Sequence, residues 1–543
     1  MPFGYCANRR GRLWFPVQRV RTSFVSDLTP VVADAPAAPP EPKIVSSVVV
    51  RPQATLRRWA VLLFLSLNFL FMLTSTGRVR LEDELMTLFE SESLVLRGST
   101  AVPQAVAAHL FFGRFDRHGQ PRAAYAPGQA LITTPWYVLG QYLLREAPGV
   151  PASARDLVVG FAMTMSSATF AAAAATFAFL LFCGMSMARR TALAGALVLA
   201  LATPLFAYSG WFFSEPLACA LFLGAAWSLF GRSDSITVSR AALGAALLGF
   251  AVLVRPTHIL LAPIFLVAIL VRERRAGVQP AVVAAAVFSV AVAAYLGYND
   301  YVFGNPFQFG YPDSVEAGKH VTGFETPLHI GLFGFLASPG KSIFLFAPPV
   351  LLALWGLPAL WRRDRGLATV ATLSLPIALG FYARYTQWEG GYCFGPRYLV
   401  PALVLLALAV GPALAEAGQS ARAVAIVLFV AGLAVQVLGL ATSFLEAEVK
   451  QGYYNARYDY RLGYNALGRQ AELLFKYLAS HEPAPIGNGF DRWFVFLSKG
   501  GVSHGMLWGG ALVIAGSAVV SGVLLVDCLR REDTPALRSS SAA

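Results

Sequence analysis

An all-α polytopic membrane protein with about twelve transmembrane helices, within roughly 11–13, is the fold class this chain predicts. Three observations carry that reading. Hydrophobic residues make up 56% of the 543 residues and charged residues only 13%, against about 25% charged in a soluble domain. Mean hydropathy is +0.57. The net charge of +13 comes from short Lys and Arg clusters set between long apolar runs, as in multi-span proteins with basic cytoplasmic loops. The pattern excludes a soluble globular enzyme, a disordered protein and a nucleic-acid-binding surface.

The elements follow in chain order. Residues 1–56 carry Arg9, Arg10, Arg12, Arg19 and Arg21, then a Pro/Ala stretch from Ala35 to Pro42, and predict a disordered basic cytoplasmic tail. The start shows no signal-peptide pattern, so no cleaved leader is expected. The apolar run Trp59 to Thr76 follows Arg57-Arg58, which places the N-terminus in the cytoplasm. Further runs cover 157–185, 192–210, 213–230, 241–254, 257–271, 280–298, 342–360, 366–385, 396–415, 421–443 and 505–528.

One more run, 128–144, is decided by parity. If it does not cross, the basic loops at Arg189-Arg190, Arg232/Arg240, Arg272/Arg274/Arg275, Arg362/Arg363/Arg365, Arg422 and Arg530-Arg531 all lie inside. We therefore read it as a helix at the outer interface or dipping into the protein. The same parity makes 241–271 a hairpin of two short helices. Fourteen residues rise about 21 Å, less than the ~30 Å hydrocarbon core. The turn at Arg255-Pro256 is then expected to be buried in protein or to line a wet cavity. The organisation expected is a core over 57–443 with outer loops 77–156 and 299–341. An outer cap segment at 444–504 follows, then the last helix and a cytoplasmic tail over 505–543.

Polar residues of interest sit in those outer loops or at outer helix ends. Glu82, Asp83 and Glu84 open a helical stretch just outside the first crossing. Carboxylates there complement the helix dipole, and at the membrane face one could serve as a general base. Asp116 to Gly119 reads as a polar turn. Ser214-Glu215-Pro216 carries ordinary helix-start signals, yet it sets an acid at the edge of the membrane. Arg255, Lys341, Arg384 and Arg397 are basic and outward. Arg397 opens a helix, where a cation opposes the dipole, so it needs an anionic partner: a protein carboxylate or a phosphate. The five cysteines form no CxxC and the seven histidines no HExxH.

Taken in order, several stretches resemble the C-type membrane glycosyltransferases, the superfamily of protein O-mannosyltransferases and lipid A aminoarabinose transferases. They are Asp83-Glu84, Tyr125 to Pro135, Ser214-Glu215-Pro216, Arg255-Pro256-Thr257, Ser338-Pro339-Gly340-Lys341, Trp388-Glu389-Gly390-Gly391 and Phe394-Gly395-Pro396-Arg397-Tyr398. The resemblance implies transfer of a sugar from a polyprenyl-phosphate-linked donor to a glycan, lipid or protein acceptor. Transfer would occur on the outer face of the inner (cytoplasmic) membrane, with both termini cytoplasmic. It also implies that Asp83, with Glu84 beside it, acts as general base or helps to bind a divalent metal ion, and that Glu215 is the second acid.

Physical chemistry supports the same assignment. A sugar leaving a lipid phosphate leaves negative charge on the phosphate oxygens, which Arg255, Arg397 or Lys341 can stabilise. Glu389 stands in the same stretch as a further substrate-binding candidate. Tyr125, Trp388 and Tyr392 can stack on sugar faces or belong to the interfacial aromatic belt. A secondary transporter and a membrane glycan polymerase or ligase are the alternatives. A transporter would typically show two related halves, and no internal repeat is visible.

Overall fold

The computed structural model describes residues 53–147, 149–311, 315–316, 319–320, 323–445, 466–480 and 492–533. The predicted basic tail lies outside the described residues up to position 52. Of the predicted outer cap, 446–465 and 481–491 also lie outside them.

The described residues are overwhelmingly helical, with two short two-stranded hairpins. Among them, seven segments are long and apolar enough to cross a membrane: Thr55–Thr74, Ala152–Gly184, Pro256–Phe303, Arg365–Tyr382, Arg397–Glu416, Gln419–Ala441 and His504–Arg531. Glu215–Phe230, Val238–Val254 and Leu328–Ala337 are shorter apolar helices. Two runs expected to be continuous are divided. The 192–210 run forms Arg189–Leu201 and Pro204–Ser209, because Thr203 is extended and caps the second helix through Leu205 N–H. The 342–360 run forms Ile343–Phe346 and Val350–Arg363 on either side of Pro348-Pro349, where proline removes a helix donor.

The Arg155–Gly184 helix lies at the heart of the bundle. It packs against Gln53–Thr74, Gly128–Glu146, Arg189–Leu201 and Glu215–Phe230. Ala171, Ala172, Ala174, Ala175 and Ala178 on it are fully buried. Small side chains let helix backbones approach closely where lipid supplies no hydrophobic drive between helices.

The segment between the first two long helices builds a small layer over this bundle. The acidic helix Glu82–Arg97 packs on Gly128–Glu146. Between them a hairpin pairs Gly113–Phe115 with Pro121–Ala123. Its turn is organised by Asp116, which accepts from the His118 and Gln120 backbone N–H groups and pairs with Arg122 at 2.8 Å. The Gly128–Glu146 helix buries Gln129, Thr133, Tyr137 and Gly140. It leaves Leu131, Val138, Leu139 and Tyr142 exposed, an apolar stripe of the kind that lies along a membrane interface.

Val238–Val254 and Ala262–Glu273 are joined by Arg255 and a 3₁₀ turn over Pro256–Leu260, but they pack on different neighbours: the first on Glu215–Phe230 and Val278–Phe303, the second on Arg365–Tyr382. Arg255 is extended, as a residue before proline prefers. His258 Nδ1 bonds the Ala251 carbonyl at 2.9 Å and closes the turn. The turn lines a cavity.

Asp116 is buried, so the exposed turn residue beside it is the better topology probe. In a cysteine-free background, a cysteine at His118 should react with an impermeant thiol reagent added to intact cells. One at Arg363 should react only after permeabilisation. The opposite pattern would invert the topology.

Candidate active site

The site begins with how the chain leaves the first helix. Thr76 N–H and Oγ1 both donate to the Gly210 carbonyl, which joins this exit to the start of the Glu215–Phe230 region. Glu84 then staples the two segments. Its Oε2 accepts from the Arg80 and Leu81 backbone N–H groups at 2.7 and 3.2 Å, and its Oε1 from Phe212 N–H at 3.0 Å. Burial raises the Glu84 carboxyl above its usual range, although Arg80 and the three N–H groups oppose this.

Consecutive helix residues point about 100° apart, so Asp83 faces elsewhere, toward a cavity of about 400 Å³. Four charged side chains meet there. Arg397 Nη2 lies 2.6 Å from Asp83 Oδ2, and its Nε lies 2.9 Å from Glu215 Oε1. Arg255 Nη1 reaches the same Glu215 oxygen at 3.1 Å. Tyr125 donates its hydroxyl to Asp83 Oδ1. The Arg397 guanidinium lies 4.1 Å from the centre of the Phe213 ring, and that of Arg255 lies 5.3 Å from Tyr398. Two carboxylates and two guanidiniums balance, as buried charges require.

The four differ in exposure. Glu215 is 1% exposed and Arg397 6%, whereas the Asp83 side chain is 25% open. Asp83 is thus the acid that a ligand can reach, and Glu215 is the acid that holds both guanidiniums. Burial pushes the Asp83 carboxyl up, but Arg397 and the Tyr125 hydrogen bond outweigh it and hold the group below the usual carboxylate range.

Arg397 is delivered by a loop with left-handed backbone at Gly390, Gly391 and Gly395. At Gly395 a side chain has no room, since a Cβ would meet the Phe346 ring at 2.6 Å, so glycine is required there. Behind this loop, Lys341 Nζ donates to the Cys393 carbonyl at 2.9 Å.

Of the residues singled out from sequence, Asp83, Tyr125, Arg255 and Arg397 line the cavity. Glu215 stands directly behind them. Glu84 is turned away, its two oxygens occupied by backbone donors. Lys341, Trp388 and Glu389 are not brought to the cavity wall. Trp388 is buried with its ring 5.3 Å from that of Phe335. Glu389 has a buried oxygen, Oε2, without a hydrogen-bond partner, and burial raises its carboxyl above the ordinary range. Ser214 precedes the helix as expected, but its hydroxyl makes no cap bond.

The wall also contains residues that sequence reasoning passed over: Thr87, Tyr295, Tyr311, Tyr382, Tyr385 and Tyr398. Tyr398 was within reach, as the neighbour of Arg397. The others lie on segments whose convergence no local pattern announces.

Among the described residues no three His, Cys, Asp or Glu side chains are placed to hold a metal ion. Asp83 and Glu215 are each paired with a guanidinium.

Two outcomes follow from this geometry. Glu84→Gln sets a donor against a backbone N–H and should destabilise the fold by about 1–3 kcal/mol, read as a lower unfolding midpoint in detergent. Glu215→Ala leaves Arg255 without its carboxylate partner and Arg397 with Asp83 alone, and should cost about 3–5 kcal/mol. Glu389→Gln, by contrast, should leave the midpoint unchanged or raise it. Equal effects at Glu215 and Glu389 would show that the four-charge cluster does not support the fold.

No protein-family model matches the chain, and no curated protein matches it. Among solved structures the chain is similar to the crystal structure of ArnT from Cupriavidus metallidurans bound to undecaprenyl phosphate. That similarity covers 86% of this chain and 77% of that one, at 14% sequence identity and a TM-score of 0.39.

Proposed function

We propose that this chain transfers a sugar from a polyprenyl-phosphate-linked donor to a glycan, lipid or protein acceptor at the outer face of the cytoplasmic membrane, with Asp83 as general base. One observation carries the reading: Asp83, Arg397 and Arg255 open together onto a single cavity walled by aromatic and aliphatic side chains. Its volume of about 400 Å³ lies within the range of small-molecule sites.

The chemistry follows from those groups. The acceptor hydroxyl attacks the anomeric carbon, its O–H proton passes to Asp83, and the bond from the anomeric carbon to the phosphate oxygen breaks. The departing phosphate gains negative charge. Arg397 and Arg255 face it in a site of low dielectric, where fixed positive charge is most effective. Ile259, Leu260, Phe309, Phe324 and Phe381 give an apolar lining for the first isoprene units. Tyr295, Tyr311 and Tyr385 give hydroxyls and ring faces for the sugar.

The ion pair also sets an order. A carboxylate held by Arg397 is a weak base, and general-base efficiency rises with basicity. A donor phosphate competes with Asp83 for the Arg397 guanidinium. As that contact weakens, Asp83 becomes more basic. Donor binding therefore prepares the base for the acceptor.

Asp83→Asn keeps the size of the side chain and loses the ability to take a proton. In purified protein supplied with polyprenyl-phosphate-linked sugars, it should lower transfer by about 10²–10⁴-fold without loss of the folded protein. Near-normal turnover would remove Asp83 from the mechanism. Mass spectrometry of surface glycans and glycoproteins with and without the chain identifies the sugar and the acceptor.

A further inference from the structure

We infer that Tyr125 is the positioning residue of the base: its phenol holds the Asp83 carboxylate in place while the donor phosphate occupies Arg397. The inference rests on the transferase reading above and assigns Tyr125 a different role from the two expected from sequence, a sugar-stacking platform or a member of the interfacial aromatic belt.

The geometry separates the two roles. Among the described residues, the Asp83 carboxylate receives hydrogen bonds from Tyr125 and Arg397, each on its own oxygen. Tyr125 is anchored independently of the charge cluster. It sits between the Gly113–Ala123 hairpin and the Gly128–Glu146 helix. Its ring has Phe112 at 6.1 Å and Tyr311 edge-on at 5.5 Å. A ring flanked by two aromatic neighbours is a poor stacking surface for a sugar, but its hydroxyl direction is well fixed. Burial and the adjacent Asp83 carboxylate push the phenol well above its ordinary range, so it remains a proton donor at working pH.

When phosphate draws Arg397 away, Asp83 loses the donor on Oδ2 and keeps the one on Oδ1. The other groups that act on it are Arg255, Tyr311 and Tyr385, with Glu215 across Arg397. A hydrogen bond to the charged form of a carboxylate favours that form. Losing the Tyr125 hydroxyl therefore makes Asp83 protonate at higher pH, and it frees the carboxylate to rotate.

The test is the pH profile of kcat at saturating donor, which reports groups in the substrate complex. For Tyr125→Phe we expect the acid limb to move to higher pH and the plateau to fall roughly tenfold, the loss expected for a hydrogen bond to a charged group. The donor KM should stay unchanged. Tyr137→Phe removes a buried hydroxyl that bonds Glu92 away from the cavity and should leave the limb in place. Should Tyr125→Phe fold poorly, 3-fluorotyrosine placed at position 125 keeps the ring and hydroxyl while strengthening the donor, and should move the limb to lower pH.

Coincident limbs with an unchanged plateau would overturn the inference, as would a raised donor KM with an unmoved limb. Asp83→Asn run alongside separates the two levels. If that variant is inactive while the Tyr125 changes are silent, only this inference fails. If it turns over normally, the transferase base falls and this inference with it.

Discussion

A guanidinium buried between two carboxylates governs the architecture of this protein. Arg397 is 6% exposed and Glu215 1%, in a chain whose core is otherwise built from alanine, leucine and aromatic side chains. An unpaired charge in such surroundings is costly enough that the groups must be brought together or not be buried at all. Asp83 comes from the start of the Glu82–Arg97 helix, Glu215 from a second helix start, Arg255 from the turn between two short helices and Arg397 from a glycine-rich loop. Four segments far apart in sequence thus meet at one point. The Glu84 staple and the Thr76 bonds to Gly210 tie two of those segments together without any ion pair.

The same contacts create a tension that suits transfer chemistry. Strong pairing makes the cluster a stable part of the fold and makes Asp83 a weak base. In the proposed reaction, an anion beside Arg397 would take up the guanidinium and leave the carboxylate more basic. Glu215 does not share this fate. It lies behind the guanidiniums and holds them both, so they stay aimed at the cavity when Asp83 is released.

How much of this was legible in the sequence depends on the range of the interaction. The helical membrane class follows from composition and run length, which are local. The break between Val238–Val254 and Ala262–Glu273 follows from the Pro after Arg255. Arg397 was recognisable as a cation in need of an anion, because its place at a helix start is unfavourable. Its partners were not recognisable: Glu389 was the nearby acid, whereas the actual partners are Glu215, 182 residues away, and Asp83, farther still. Choosing between Asp83 and Glu84 required knowing which acid caps the helix. A Glu three residues into a helix often reaches back to the N-cap N–H, but Leu81 at the cap hides that signature. Lys341 and Trp388 were picked out by residue type, and only packing shows that they face the back of the Arg397 loop.

That loop explains why residues off the cavity belong to the same design. Three left-handed glycines give the chain from 390 to 395 its path, and glycine leaves a loop more freedom to lose on folding than any other residue. A guanidinium that must meet two carboxylates at once tolerates little of that freedom. The Lys341 ammonium on the Cys393 carbonyl, the buried Trp388 ring against Phe335 and the Tyr208 hydroxyl on the Phe394 carbonyl at 2.9 Å each remove part of it. Lys341 is almost fully buried, so its contact is made in a low dielectric, where a charge-assisted hydrogen bond is strongest. The protein thus uses one buried cation to fix the backbone that presents another. Of the two, only Arg397 reaches the cavity.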